Sequence, residues 1–509
     1  MMPLENNNSR MVLVFFLLFF MGCENGLDPQ FESTLITTDF PQTKDDFQNL
    51  VFSTYVPLQS KWSYANGNEW AGYTFHCSDQ YGILFYNDMP TDLVAVYNNG
   101  WGGDWWNGSN GDFSYAISNE RTESHFSKVK YVSRITQIID LISKASDDII
   151  SKSGKSSMLA EARLSRGWIM WYLLYYFGPV PVIMDPQLLT TNAEWNLTRP
   201  SRQDYIKWVE ADLQYAATNL PQSWPEIYYG RYTKGLANTL LMRLYMNEHR
   251  WADAVSVGDT IKSLGYSIVS DYSSMFVPSG ERNSEVIYAI SASEKSTGGE
   301  DDYNFNPIHY YIYPSWYTAE GIKGWSSPSA VYMAHWNFYN SFDPSDKRRL
   351  MLDTYTESDG TVHNASNMNG AIVTKFKVES TGTTYRGNDI PIARYADVLL
   401  MLAEALNEIS SVPSGEAIGY INEVRHRAGL TDLPVADVAS QSAFRDAIFR
   451  ERGWELYFEG LRRYDLMRMD KWKTALTSAC KAMGPSPLLP IPQYAIDAGK
   501  GTLKQNAEY

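Results

Sequence analysis

The residues in this chain best suited to chemistry are rings and amides set in stretches that do not read as helix. Residues 97–107 run Tyr-Asn-Asn-Gly-Trp-Gly-Gly-Asp-Trp-Trp-Asn, three indoles on a backbone whose Gly and Asn favour turns. A pyranose has an apolar patch of C–H groups on one face, so a ring can bury that patch while nearby amides and carboxylates take the hydroxyls. Trp101, Trp105, Trp106 and Asn107 are the first candidates for such a platform. Because Trp105 and Trp106 are adjacent, they are expected to point opposite ways, one toward ligand and one pinning the segment to the core. A second aromatic stretch from Tyr310 to Trp325 offers Trp316, Tyr317 and Trp325 for the same task, with packing as the alternative, since large aromatics serve both ends.

Other chemistries find less support. Glu451, Arg452, Glu455, Glu459, Arg462, Arg463 and Asp465 invite an acid/base reading, but carboxylates three and four residues apart with interleaved Arg are what a paired helix face looks like. The seven His residues show no HExxH or other paired spacing for zinc. Asp302, Asn304 and Asn306 alternate as in a calcium loop, yet Pro307 stands where that loop needs Gly and Tyr313 where it needs Glu. Neither a GxSxG nucleophile elbow nor a phosphate-binding loop occurs. No catalytic residue, metal or cofactor is therefore assigned. A surface glycoside hydrolase stays as an alternative, because it needs only two carboxylates that sequence does not pair.

The elements that must position the rings read mainly as helix pairs. From Leu236 to Gly265, Leu241 and Tyr245 lie one turn apart on one helix and Ala254 on a second, after the polar turn Asn247-Glu-His-Arg250; this is tetratricopeptide spacing, in which the small Ala lets helices approach closely. A second pair spans 395–430, with a turn at 410–415, Ala417, Ile421 and Val424 as the partner's buried stripe, and Gly429 closing it. Met158 to Phe177 and Ala443 to Met469 are further helical tracts. Between them, 62–115 and 266–394 are loop-rich, the latter with strand-like pieces at Val286–Ile290 and Ala371–Phe376. The repeats are irregular; a tetratricopeptide scaffold for protein assembly would need regular ones and no aromatic stretches. With 509 residues, 44% of them hydrophobic, the chain can bury a large core, and its net charge of −15 opposes a nucleic-acid partner, which is bound largely through Lys and Arg.

The N-terminus carries an apolar run, Met11 to Met21, placed as a signal peptide's apolar region and short for a membrane span. Gly22-Cys23 follows at once and resembles a bacterial lipobox, in which the Cys is acylated and anchors the protein; Phe20 replaces the usual Leu, and Glu5 opposes Arg10 in a weakly basic leader. The alternative is an ordinary secretory signal with Cys23 incidental. Glu24 and Asp28 resemble an acidic tag for the outer face. The remaining Cys77 and Cys480 have no metal-ligand spacing and are expected to be buried thiols, though an oxidising compartment would let them pair.

Five blocks together resemble the SusD/RagB family of outer-membrane nutrient-binding lipoproteins. The helix from Glu161 ends in Phe177-Gly-Pro-Val-Pro181, similar to the family's F-G-x-V-P. Arg394-Tyr-Ala-Asp-Val-Leu-Leu-Met-Leu-Ala-Glu-Ala405, Ile421-Asn-Glu-Val-Arg-His-Arg-Ala-Gly429 and Glu451-Arg-Gly-Trp-Glu-Leu-Tyr-Phe-Glu-Gly-Leu-Arg-Arg-Tyr-Asp465 resemble three further family helices, and Pro490-Ile-Pro492 with Leu503-Lys-Gln-Asn506 resembles its closing P-I-P and L-x-Q-N, with Ala507-Glu508 in place of Pro-Gly. The resemblance implies a mainly α, SusD-like fold: about four tetratricopeptide-type helix pairs forming a scaffold for a loop-rich ligand-binding face with short strands. Residues 1–22 would be a lipoprotein signal peptide, 23–40 the lipidated tether, and 41–509 a single domain. It also implies a cell-surface protein, lipid-anchored to the outer membrane, that captures oligo- or polysaccharide and passes it to a SusC-type TonB-dependent transporter. Asp79, in Cys77-Ser-Asp-Gln80, resembles the Asp of a family S-D-E segment that orients a loop or accepts a sugar hydroxyl. The position of 97–107 matches the family segment that supplies stacking Trp and Asn.

Overall fold

The computed structural model describes residues 40–58, 86–97, 108, 110–190, 198–292, 306, 308–318, 331–377 and 387–509. The chain divides into two units, residues 1–47 and 48–509. Within the first, Thr43 Oγ1 accepts the Asp46 N–H (3.2 Å) and the Asp46 carboxylate accepts the Thr43 N–H (2.8 Å), a reciprocal cap that starts the helix Lys44–Ser53. The second unit holds the rest of the described chain.

Its scaffold is helical. The main helices are α1 (Val129–Lys144), α2 (Lys152–Phe177), α3 (Arg202–Asn219), α4 (Lys234–Asn247), α5 (Trp251–Lys262), α6 (Tyr395–Ile409), α7 (Gly415–Arg427) and α8 (Gln441–Leu456), followed by the short α9 (Arg462–Arg468). Hydroxyl caps set where they start: the side chains of Ser151, Ser201, Thr233, Ser414 and Ser440 each accept a backbone N–H from the first turn. From α1 to α6 each helix packs on the next, α5 meeting α6 across the 266–394 insertion, and α6 also carries α7 and α8. That nearest-neighbour order is compatible with stacked tetratricopeptide-type pairs. α2 is apolar all round from Trp168 onward, with Trp168, Trp171, Tyr172 and Tyr176 each 3% exposed or less, so this part lies in the core. Each such side chain contributes about 1.5–3 kcal/mol by leaving water. Ala254 is fully buried on α5, as the helix-pair spacing requires. One turn on, a Cβ added at Gly258 would sit 2.5 Å from Leu402 Cδ2, so Gly258 sets how closely α5 approaches α6.

Among the described residues, eight strands form three small sheets. β1 (Val94–Tyr97), β3 (Val331–His335), β7 (Gly370–Val373) and β4 (Met351–Leu352) make a four-stranded antiparallel sheet in the order β1-β3-β7-β4. β2 (Val286–Ile290) pairs with β8 (Ile390–Arg394), and β5 (Tyr355–Thr356) with β6 (Val362–His363). β2 occupies the residues its alternation suggests. β7 stops at Val373, because Lys375 turns inward to reach the backbone oxygen of Tyr457 (2.8 Å) and the Glu459 carboxylate (2.6 Å).

The tract expected as one helix from Ala443 to Met469 is two. α8 stops at Leu456, and α9 starts only at Arg462, with Phe458 (φ 60) and Gly460 (φ 77) between them in the left-handed region. The carbonyls that would continue the helix are taken from elsewhere in the fold: Glu455 O by Arg394 and Tyr272, Tyr457 O by Lys375, and Gly460 O by Asn87. The carboxylates of this tract form a buried ion network. Glu451 lies between Arg348 (2.7 Å) and Arg425 (3.1 Å), Glu455 between Arg394 (2.8 Å) and Arg427 (2.6 Å), Glu459 between Lys375 (2.6 Å) and Arg394 (2.7 Å), and Asp465 between Arg452 (2.9 Å) and Arg468 (2.7 Å). Burial alone would raise Glu455, but Arg427, Arg394 and Arg348 hold it well below the usual carboxylate range. The paired reading of these residues holds, with the pairs inside the protein and not on a solvated face.

The F-G-x-V-P and L-x-Q-N segments are tied together by Arg199. It donates to Phe177 O (2.9 Å), Pro179 O (2.8 Å) and Asn506 Oδ1 (2.8 Å), while Gln505 exchanges two hydrogen bonds with the Ile491 backbone (2.7 and 2.8 Å). Gly178 (φ 76) ends α2, and a Cβ there would meet Arg199 Nη2 at 2.7 Å. Cys480, expected to be buried, is exposed; it sits at φ 55 where the helix Trp472–Ser478 turns off, and Cys77 lies outside the described residues.

Candidate functional site

The four-stranded sheet holds at one end the residues that flank the two aromatic stretches of the sequence. β1 ends at Tyr97, immediately before residues 98–107, and β3 begins at Val331, immediately after residues 319–330. Tyr97 and Val331 are register partners, so the chain leaves for one stretch and returns from the other at neighbouring points of the same sheet end. Both strands are almost wholly buried, which fixes these two points.

The described part of the second stretch completes this end. Asn306 Oδ1 accepts the Ile308 N–H (3.0 Å) at the start of the short helix Ile308–Ile312, a local role for a residue that the calcium spacing had made a ligand candidate. After that helix the chain turns at Pro314, whose carbonyl accepts the Tyr317 N–H (2.9 Å). Trp316, half-buried, lies parallel to the His363 imidazole at 3.5 Å between ring centroids and meets the Tyr97 ring edge-on at 6.2 Å. His363 is held in turn by Glu357 (2.7 Å). The indole N–H of Trp316 has no hydrogen-bond partner among the described residues. Tyr317 is 3% exposed, stacked on Tyr313 at 5.1 Å and tilted against Tyr355 at 4.8 Å, so it supports the cluster from within. The Tyr355 hydroxyl bonds both the backbone N–H and the hydroxyl of Thr318.

Trp316 thus has one face covered by His363 and further ring contacts with Tyr97 and, at 5.8 Å, Tyr355, and its indole nitrogen is buried among them. Sequence reasoning missed His363, Glu357 and Tyr355. They stand on the β5–β6 hairpin, whose turn at Asp359-Gly360 has Asp359 Oδ1 accepting the Thr361 N–H (2.9 Å) and Gly360 at φ 89. An Asp-Gly pair between Tyr355-Thr and Val362-His was a readable hairpin signal. Cys23, Asp79, Trp101, Trp105, Trp106, Asn107 and Trp325 lie outside the described residues. Among the described residues no cluster of His, Cys, Asp and Glu is arranged to hold a metal, and no helix is long and apolar enough to cross a membrane.

Solved structures of SusD-like proteins share this fold. A SusD homologue from Bacteroides thetaiotaomicron superposes with a TM-score of 0.75 at 21% identity, over 92% of this chain and 98% of that one. Surface glycan-binding protein A of the same organism, solved in complex with laminarihexaose, gives 0.73 at 20% identity, over 92% and 100%. In sequence, residues 354–509 match the model of the SusD family, and residues 82–246 match one described as starch-binding associating with outer membrane. The SusD-like protein P25 of Formosa agariphila is 25% identical over 501 residues, covering 90% of this chain and 89% of its own length. The chain belongs to the SusD family.

Proposed function

We propose that this protein is a glycan-binding lipoprotein of the outer membrane, anchored through Cys23 at the cell surface, that captures oligo- or polysaccharide without cleaving it and delivers it to a SusC-type TonB-dependent transporter. The observation that carries the reading is the register pairing of Tyr97 with Val331. It gives the Trp101, Trp105, Trp106 and Asn107 stretch and the Trp325 stretch a common origin at the sheet end where Trp316 already stands. Rings on two stretches that join one sheet end suit sugar faces, and the solved structure that holds laminarihexaose supports a β-glucan as one ligand to try. Asp79 is proposed as an acceptor of a sugar hydroxyl or a loop-orienting group. The carboxylates of 451–465 support a non-catalytic role, because each is buried between cations and closed to a glycosidic bond.

The test is an affinity screen of the soluble form lacking residues 1–23 against plant, animal and microbial polysaccharides, laminarin included. Retention by at least one polysaccharide with no release of reducing ends is expected. Retention by none would sink the glycan reading, and turnover lost on changing an Asp or Glu of the aromatic stretches would replace it with the hydrolase.

A further inference from the structure

A second cleft, of about 320 Å³, is lined by none of the residues of the sheet end. It lies between the turn around residues 222–230, the turn Leu264–Tyr266 and strand β2. Pro225 and the single 3-10 turn Glu226–Tyr228 push the chain outward here, leaving Ile227 85% exposed and Tyr228 47% exposed. Scattered apolar side chains on a surface are ordinary. Tyr228, however, lines the cleft together with Trp224, Tyr229 and Tyr266, over a floor made by the buried Ile287 and Tyr288.

The charges of the cleft are already matched. Arg231 holds Glu161 through two bonds (2.5 and 3.1 Å), and its guanidinium lies 3.7 Å from the centre of the Trp224 ring. Arg282 pairs with Glu226 and lies 4.0 Å from the centre of the Tyr229 ring. With each guanidinium facing its own carboxylate, the cleft has no surplus charge to draw an anion. The rings are fixed as well: the Trp224 indole N–H donates to Tyr232 O (2.8 Å) and the Tyr229 hydroxyl to Asp389 (2.8 Å). Gln222 donates its amide to Leu264 O (2.7 Å), which leaves its carbonyl oxygen, with the exposed Ser223 hydroxyl, to take groups from a ligand. Rigid ring faces, a few open polar atoms, matched charge and a volume at the lower end of small-ligand pockets suit a short, uncharged, hydroxyl-rich molecule.

We infer that this cleft is a second saccharide site, specific for a neutral oligosaccharide and filled independently of the sheet end; this rests on the glycan-binding reading above. Methyl NMR of the isoleucine δ1 groups tests it, because Ile287 reports the floor of the cleft and Ile312 the base of the aromatic sheet end. The titrants are laminarihexaose, maltohexaose and, as an anionic control, an oligogalacturonate of the same length. A saturable Ile287 shift with a neutral hexasaccharide is expected. Tyr228→Ala should weaken it at least tenfold, Tyr228→Phe should retain it, and the Ile312 isotherm should be unchanged in both. Tyr228 is exposed, so neither variant threatens the fold. An Ile312 response with Ile287 silent would overturn the cleft alone, as would an Ile287 shift that survives Tyr228→Ala or appears only with the oligogalacturonate. If neither methyl responds to either neutral sugar, the glycan-binding reading falls and the cleft with it.

Discussion

Single rings carry the affinity in a site of this kind, and they can be separated by what their removal costs. If Trp101 and one of Trp105 or Trp106 stack on sugar, truncation to Ala removes buried contact worth about 1–3 kcal/mol, roughly a tenfold to hundredfold loss of affinity. A ligand-facing ring should leave the melting temperature unchanged, whereas one that pins the segment should lower it along with binding. Unchanged affinity in all three variants would move the site away from 97–107. His363 gives a different signature. Its imidazole covers a face of Trp316 at 3.5 Å, so His363→Ala should lower stability by about 0.5–1.5 kcal/mol and His363→Phe should recover most of it; an unchanged denaturant midpoint in His363→Ala would mean that the stack contributes nothing. Trp316 and Tyr317 were legible as aromatic candidates from composition alone. Which of their faces stays open was not, because the covering groups come from a hairpin some forty residues further along the chain.

At the scale of elements, the helices with strong apolar periodicity were readable and those shaped by distant partners were not. The pairs α4–α5 and α6–α7 fall where the sequence pattern puts them, down to the closing Gly429 at φ 82. α2 starts at Lys152 and not near Met158, because its first turns are polar and Ser151 caps it where no apolar stripe marks the start. The break between α8 and α9 was invisible, since Lys375, Asn87 and Asp88 lie far away in sequence. Asp88 receives the N–H groups of both Gly460 (2.9 Å) and Arg462 (3.2 Å), and burial pushes its carboxyl up to about 7. Gly460→Ala should therefore cost about 1–3 kcal/mol, the price of a side chain at φ 77, as read from urea unfolding. A wild-type midpoint in that variant would show that the break tolerates a Cβ.

For the molecule as a whole, the ion network predicts an acid limit. Burial would raise Asp397, but Arg452 and Arg243 lower it to about 2, against 3.8 for an ordinary aspartate. A depressed carboxylate stabilises the fold fully above its unfolded value, and that contribution is lost as pH falls from about 4 through 2. About two units correspond to roughly 2–3 kcal/mol. Asp397→Asn should lower stability at neutral pH and flatten its decline between pH 4 and 2; an undiminished acid slope would acquit this residue. Anchoring is a property of the whole chain too. Cys23→Ala should move the protein from the membrane to the soluble fraction and abolish labelling by a fatty-acid probe, and an unlabelled wild type would end the lipoprotein assignment. The scaffold was legible in the sequence blocks, because those blocks hold buried charges such as Glu455 and Arg427 and tight turns such as Gly178 that join its helices. The paired ends at Tyr97 and Val331 carry a consequence for how such a protein changes over generations. Each fixes one end of a different stretch, 98–107 leaving from Tyr97 and 319–330 arriving at Val331, and doubling the length of a stretch whose ends are fixed costs only about 0.6 kcal/mol in closure entropy. Insertions and deletions there can rewrite which sugar is preferred while the scaffold's stability is left almost untouched, so ligand choice and fold are free to evolve on separate clocks.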